Sequence, residues 1–174
     1  MTFTLKRRAF AGLLTTGAIA FAAGQARAAT LAAPAGKVIL TISGKIGTVN
    51  QDQAAAFDRE MLEALGVESF TTSTPWYDQP TKFEGISLAA LLAAVNAKGE
   101  FLTVVALDDY SIEIPISDFN KYNVILALKR DGQYMPVREK GPLFIVYPFD
   151  SVPELKHQKY YSRSAWQVSQ LIVK

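Results

Sequence analysis

Asn123-Val124-Ile125-Leu126-Ala127-Leu128-Lys129-Arg130-Asp131-Gly132-Gln133-Tyr134-Met135 is the stretch that decides the fold class. Five apolar residues in succession, rich in Val, Ile and Leu, read as a buried strand over Asn123–Lys129. Arg130-Asp131-Gly132-Gln133 supplies the residues a tight hairpin turn needs, so the chain is predicted to double back into Tyr134 and Met135. Strands surround this hairpin. Upstream, Phe101–Leu107 and Tyr110–Pro115 flank Asp108-Asp109, a second tight turn, and Ser117-Asp118 can open one helical turn. Downstream, Leu143–Tyr147 reads as a strand, Pro148–Lys159 as an irregular loop and Trp166–Val173 as a closing strand.

The first half is mixed. Val38, Leu40 and Ile42 alternate with Lys37, Thr41 and Ser43, the pattern of a half-buried strand over Lys37–Ile46. Asn50 is expected to cap a helix running to about Leu65, stopped by Gly66. Ser69–Thr74 is β-rich. Thr74–Pro80 and Phe83-Glu84-Gly85 read as turns, and Ile86–Asn96 as a short apolar helix. No repeat or linker interrupts the series, which predicts an α+β fold: a mixed sheet with short helices in a single domain, residues 37–174.

Ahead of it, residues 1–28 have the zones of an export signal. Lys6, Arg7 and Arg8 precede an uncharged run from Ala9 to Gly24, and Ala26-Arg27-Ala28 fits cleavage after about Ala28. The run has 16 residues, short of the ~20 that span a bilayer core. A mature, periplasmic chain with no membrane span is expected, led by a flexible small-residue segment, 29–36. The Arg7-Arg8-Ala9-Phe10 core is also similar to a twin-arginine signal, and the route stays open between the two export systems.

The 18 Lys and Arg outnumber the 16 Asp and Glu, but four basic residues lie in 1–28; the remainder carries 14 basic against 16 acidic groups, net −2. That balance gives no electrostatic footprint for nucleic acid. The absence of cysteine excludes disulfides, thiolate catalysis and cysteine-ligated metal, and the single histidine, His157, excludes a multi-His site. No Ser-His-Asp pattern or phosphate-cradling glycine loop is present.

Read in order, Phe83-Glu84-Gly85-Ile86-Ser87-Leu88-x-x-Leu91-Leu92, Asp109-Tyr110-Ser111-x-Glu113-x-Pro115, Ala127-Leu128-x-x-Asp131-Gly132-x-x-Met135-Pro136, Gly141-Pro142-Leu143-x-x-Val146-Tyr147-Pro148 and Ser162-Arg163-Ser164-x-Trp166-Gln167 resemble the sulfite oxidase fold, over roughly residues 37–173. The resemblance implies a molybdopterin-binding-like domain. Counting back from Gly85 places the molybdenum-binding cysteine of those enzymes near Thr72, whose hydroxyl is no soft, ionised ligand. The chain is thus similar to the small cysteine-free branch, which binds a molybdenum-free pterin without catalysis. Some members of that branch pair with the periplasmic sensory domain of a membrane-bound cyclic-di-GMP enzyme. A molybdopterin-dependent oxidoreductase subunit is the alternative, and a structural partner without a ligand the third reading.

A pterin is a flat polar heterocycle, so its site needs a stacking face and partners for the pyrimidine edge. Trp76, in the irregular Thr74–Pro80 stretch, is the first stacking candidate; the bland reading is a Trp closing the core. Arg163, with Tyr161, Ser162 and Ser164, matches the enzymes' cofactor-facing stretch, and is expected at a cleft and not in the core. The opposing reading is a surface arginine at the start of a strand. Asp150 can accept from the 2-amino and ring N–H groups. His157, in the same loop, is a candidate ligand, although a histidine there is more often a solvated loop residue. Trp166 reads as core, and Asp108-Asp109 as a solvated turn.

Overall fold

At the decisive hairpin, Asp131 (φ 49°) and Gly132 (φ 79°) both take left-handed backbone conformations. Such a pair reverses the chain in two residues with the twist that antiparallel strands require. The computed structural model describes Met1 and residues 31–174, so the expected export signal lies, but for Met1, outside the described residues. In chain order the elements are β1 (Leu40–Gly44), β2 (Ala55–Phe57), α1 (Arg59–Glu63), β3 (Val67–Thr74), β4 (Tyr77–Ser87), α2 (Leu88–Ala94), β5 (Phe101–Ala106), β6 (Ser111–Pro115), α3 (Ser117–Tyr122), β7 (Ile125–Arg130), β8 (Gln133–Tyr134), β9 (Phe144–Val146), α4 (Gln158–Arg163) and β10 (Val168–Val173). Single 3-10 turns occupy Val137–Glu139 and Pro153–Leu155.

The strands form two sheets. One has the order β2-β1-β10-β5-β6, with β1 and β10 parallel. In the other, β3-β4-β7-β8, β9 also pairs with β7. Leu40, Ile42, Leu102, Val104 and Leu171 of the first sheet share one core with Ile86, Leu126, Leu128 and Ile145 of the second, and α2 adds Leu88, Leu91 and Leu92. The opposite face of β7 is also buried: Ile125 and Ala127 pack with Phe83, Phe144, Val146 and Met135. Burial on both faces explains why β7 is apolar at consecutive positions instead of alternate ones. The result is one mixed α+β domain with short helices.

Gly85 has a tertiary cause. A Cβ there would lie 2.2 Å from the Leu126 carbonyl oxygen, where the β4–β7 register shifts. Only glycine allows that approach.

Three local expectations are corrected. Asn50 caps no helix: its Oδ1 accepts from the Ala56 amide at 2.7 Å and its Nδ2 donates to the Ala32 and Ala56 carbonyls. Ala55–Phe57 instead pair with β1 and are fully buried, and the helix starts at Asp58, whose Oδ1 accepts from the Met61 amide. Tertiary pairing outcompetes the local helical pattern there. Asp58 Oδ2 also takes the Ala35 and Gly36 amides, tying the chain's approach to β1 onto α1. The turn-rich Thr74–Pro80 stretch contains one turn, Pro75-Trp76, after which β4 runs from Tyr77 to Ser87, so Phe83-Glu84-Gly85 is strand and not the expected turn. Pro80, which cannot donate to a ladder, falls where the β3–β4 register shifts. The 148–159 loop ends in α4, so Arg163 closes a helix, and Trp166 precedes the closing strand.

Candidate functional site

Three turns converge on one end of the domain. The Pro75-Trp76 turn between β3 and β4 meets the β5–β6 turn, with Ala106, Asp108 and Tyr110, and the α4–β10 segment, with Gln158, Tyr161, Ser162, Ser164 and Trp166. They enclose a cleft of about 480 Å³, within the size range of small-molecule sites.

Its wall is aromatic. Trp76 packs edge-to-face on Phe144, Phe149, Tyr161 and Trp166, with ring centroids 5.5, 6.2, 6.2 and 5.8 Å away. Trp76 touches both apolar clusters, so the fold holds the ring from behind while one side stays half-exposed. Trp166 is 37% exposed, and the Lys140 ammonium sits 3.8 Å from its ring centroid. Burial pushes that ammonium's pKa down. A cation over an indole face is a favourable electrostatic contact that holds both side chains.

The polar groups divide into used and free. Ser164 Oγ is buried and donates to the Tyr160 carbonyl, and Ser162 Oγ donates to the Gln158 carbonyl. Asp108 Oδ1 accepts from the Tyr110 amide at 3.2 Å, an Asx turn made possible by Asp109 at φ 65°. Its Oδ2 has no protein partner among the described residues.

Of the six residues singled out from the sequence, Trp76, Tyr161 and Ser164 line the cleft. The other three do not. Arg163 points to the opposite side of α4, where its Nη1 donates to Asp118 Oδ2 at 2.6 Å; Tyr147 Oη donates to the same oxygen at 2.9 Å. Helical phase is the reason: Tyr160 and Arg163, three apart, share one face of α4, while Gln158, Tyr161 and Ser162 share the other. Asp150 is a strut. Its Oδ2 accepts from the Ser73 amide at 2.5 Å, its Oδ1 lies 2.7 Å from Lys156, and its own amide donates to Thr72 Oγ1. The Lys156 ammonium and then the Ser73 N–H hold the Asp150 carboxyl at a pKa of about 2. His157 is an exposed N-cap of α4, with Nδ1 accepting from the Lys159 amide. Asp108, Tyr110, Gln158 and Trp166 were not in the sequence-derived site. No local signal marked them, because Asp108 and Tyr110 read as turn residues and Trp166 as core, and only the tertiary approach of three segments makes them a lining.

Thr72 is buried and its hydroxyl oxygen is taken by the Asp150 amide. It lies outside the cleft lining, and among the described residues no cationic side chain in that lining could meet a cofactor phosphate. The residues present do not fit molybdopterin. Among the described residues, no helix is long and apolar enough to cross a membrane. Compared with known proteins, the chain matches no family model and no curated protein.

Proposed function

We propose that this chain is a non-catalytic pterin-binding protein of the periplasm. Its export signal carries it there, and it reports its ligand to the sensory domain of a membrane receptor such as a cyclic-di-GMP enzyme. One observation carries the reading: a cleft walled by Trp76, Tyr161 and Trp166 opens beside the unpartnered oxygen of Asp108. A flat ring can stack or wedge against the indoles while its donor edge meets a carboxylate. The collinear resemblance to the sulfite oxidase fold supports a pterin as that ring, and the two-sheet α+β architecture is compatible with it. The missing thiolate and the occupied Thr72 hydroxyl argue for binding without molybdenum redox chemistry.

The test is purification of the mature chain from the periplasm, followed by oxidative extraction and elemental analysis. A fluorescent pterin near one equivalent, with molybdenum far below that, is expected. Stoichiometric molybdenum, or sulfite or sulfoxide turnover by the unmodified protein, would end this reading.

A further inference from the structure

The cleft is strongly asymmetric in charge. Among the described residues, Asp108 is the only formally charged side chain in its lining; Arg163 and Lys156 are paired away from it with Asp118 and Asp150, Lys159 lies over the Tyr160 ring, and Lys140 lies over the ring of the lining residue Trp166. Its remaining polar side chains are the hydroxyls of Tyr110, Tyr161, Ser162 and Ser164 and the amide of Gln158.

We infer that Asp108 is the specificity-determining residue of the cleft, which takes flat heteroaromatics bearing a guanidine-like donor edge and disfavours those carrying a phosphate. Oδ1 is fixed by the Tyr110 amide, which orients the carboxylate and leaves Oδ2 to accept an exocyclic N–H or a ring N–H. A charged acceptor rewards such a donor more than a neutral one does. A ligand phosphate brings a second negative charge to a cleft whose lining, among the described residues, has no cation to balance it. Asp109 lies on the same turn but not in the lining. The inference rests on the binding-module reading of the cleft, and pterin is one member of the ligand class.

Calorimetric titration of the mature protein with three probes tests it: 6-hydroxymethylpterin, its phosphate ester, and 2-aminobenzimidazole, a flat cyclic guanidine that is not a pterin. Asp108→Asn keeps an oxygen for the Tyr110 amide and removes only the charge, and Asp109→Asn is the control on the same turn. For the parent, the phosphate ester is expected to bind about tenfold more weakly than the free alcohol. Asp108→Asn should weaken 6-hydroxymethylpterin and 2-aminobenzimidazole by about tenfold each and narrow the gap between alcohol and ester, with Asp109→Asn unchanged; tenfold is the lower end for a charge-assisted hydrogen bond, fitting an exposed carboxylate. If 2-aminobenzimidazole binding depends on Asp108 while neither pterin binds, the inference stands and the pterin reading fails. If 6-hydroxymethylpterin binds equally well to parent and Asp108→Asn, the pterin reading stands and the inference is wrong. Failure of all three probes to bind the parent overturns both.

Discussion

The two faces of α4 use similar residues to opposite ends. Toward the cleft, Tyr161 and Ser162 stand beside open space, and the carboxylate across from them, Asp108, has one oxygen free. Toward the body of the domain, Arg163 and Tyr160 join two polar clusters. Arg163 and Tyr147 converge on Asp118; Tyr160 Oη lies 3.0 Å from Tyr122 Oη, which bonds Glu154, and Lys121 closes on Glu154 at 2.8 Å. Burial and the Asp118 charge push the Tyr147 phenol up, and the bond to Glu154 pushes Tyr122 up to about 12, so both phenols stay protonated donors. A tyrosine and a carboxylate thus serve structure where a cation and a phenol converge on the carboxylate, as at Asp118, and recognition where only a backbone amide holds it, as at Asp108. Residue type alone does not distinguish the two.

The largest effect that could break this contrast is Arg163→Ala. The side chains of Arg163 and Asp118 are only 15% and 11% exposed, and removing the cation leaves a nearly buried carboxylate with Tyr147 as its remaining donor. Urea unfolding is expected to show a loss of about 2–4 kcal/mol, the scale for orphaning one member of a largely buried pair. At temperatures where the variant is folded, affinity for 6-hydroxymethylpterin should stay within about twofold. Lost affinity with unchanged stability would restore Arg163 to the cleft.

Trp76→Ala probes the boundary between the two regions, because the ring serves both. Its four edge-to-face neighbours and its contact with both cores predict a loss of about 2–3 kcal/mol in stability. Affinity should fall at least tenfold even when the comparison is made well below the thermal midpoint. A stability loss with intact affinity would reduce Trp76 to a core plug and leave Tyr161 and Trp166 as the stacking wall.

The smallest expected effect is at Asp150, outside both regions. Its pKa falls from an ordinary 3.8 to about 2 on folding, through Lys156 and the Ser73 N–H. A carboxyl depressed in the folded state stabilises fully above its unfolded pKa and loses that contribution as pH falls through the folded one. Asp150→Asn should therefore cost on the order of 1 kcal/mol at pH 6, screening at this partly exposed pair included. The difference from the parent should shrink between about pH 4 and pH 2. A pH-independent difference would assign the effect to packing of the 148–157 loop instead of charge.

The sequence alone determined the elements whose signals are local: the Asp131-Gly132 hairpin, the run of Ile125–Leu128, the alternation of Leu40 and Ile42, and Trp76 on an irregular turn. Turn chemistry and burial pattern act over a few residues, so they can be read from a few residues. The tertiary structure decided the rest. It drew Ala55–Phe57 out of a helical pattern into a strand, since pairing with β1 buried them, and it brought Asp108, Trp76 and Trp166 together from three distant turns. The phase of α4 was its decision as well: six residues are too few for a helical period to show in sequence, yet that phase sends Tyr161 to the cleft and Arg163 to Asp118.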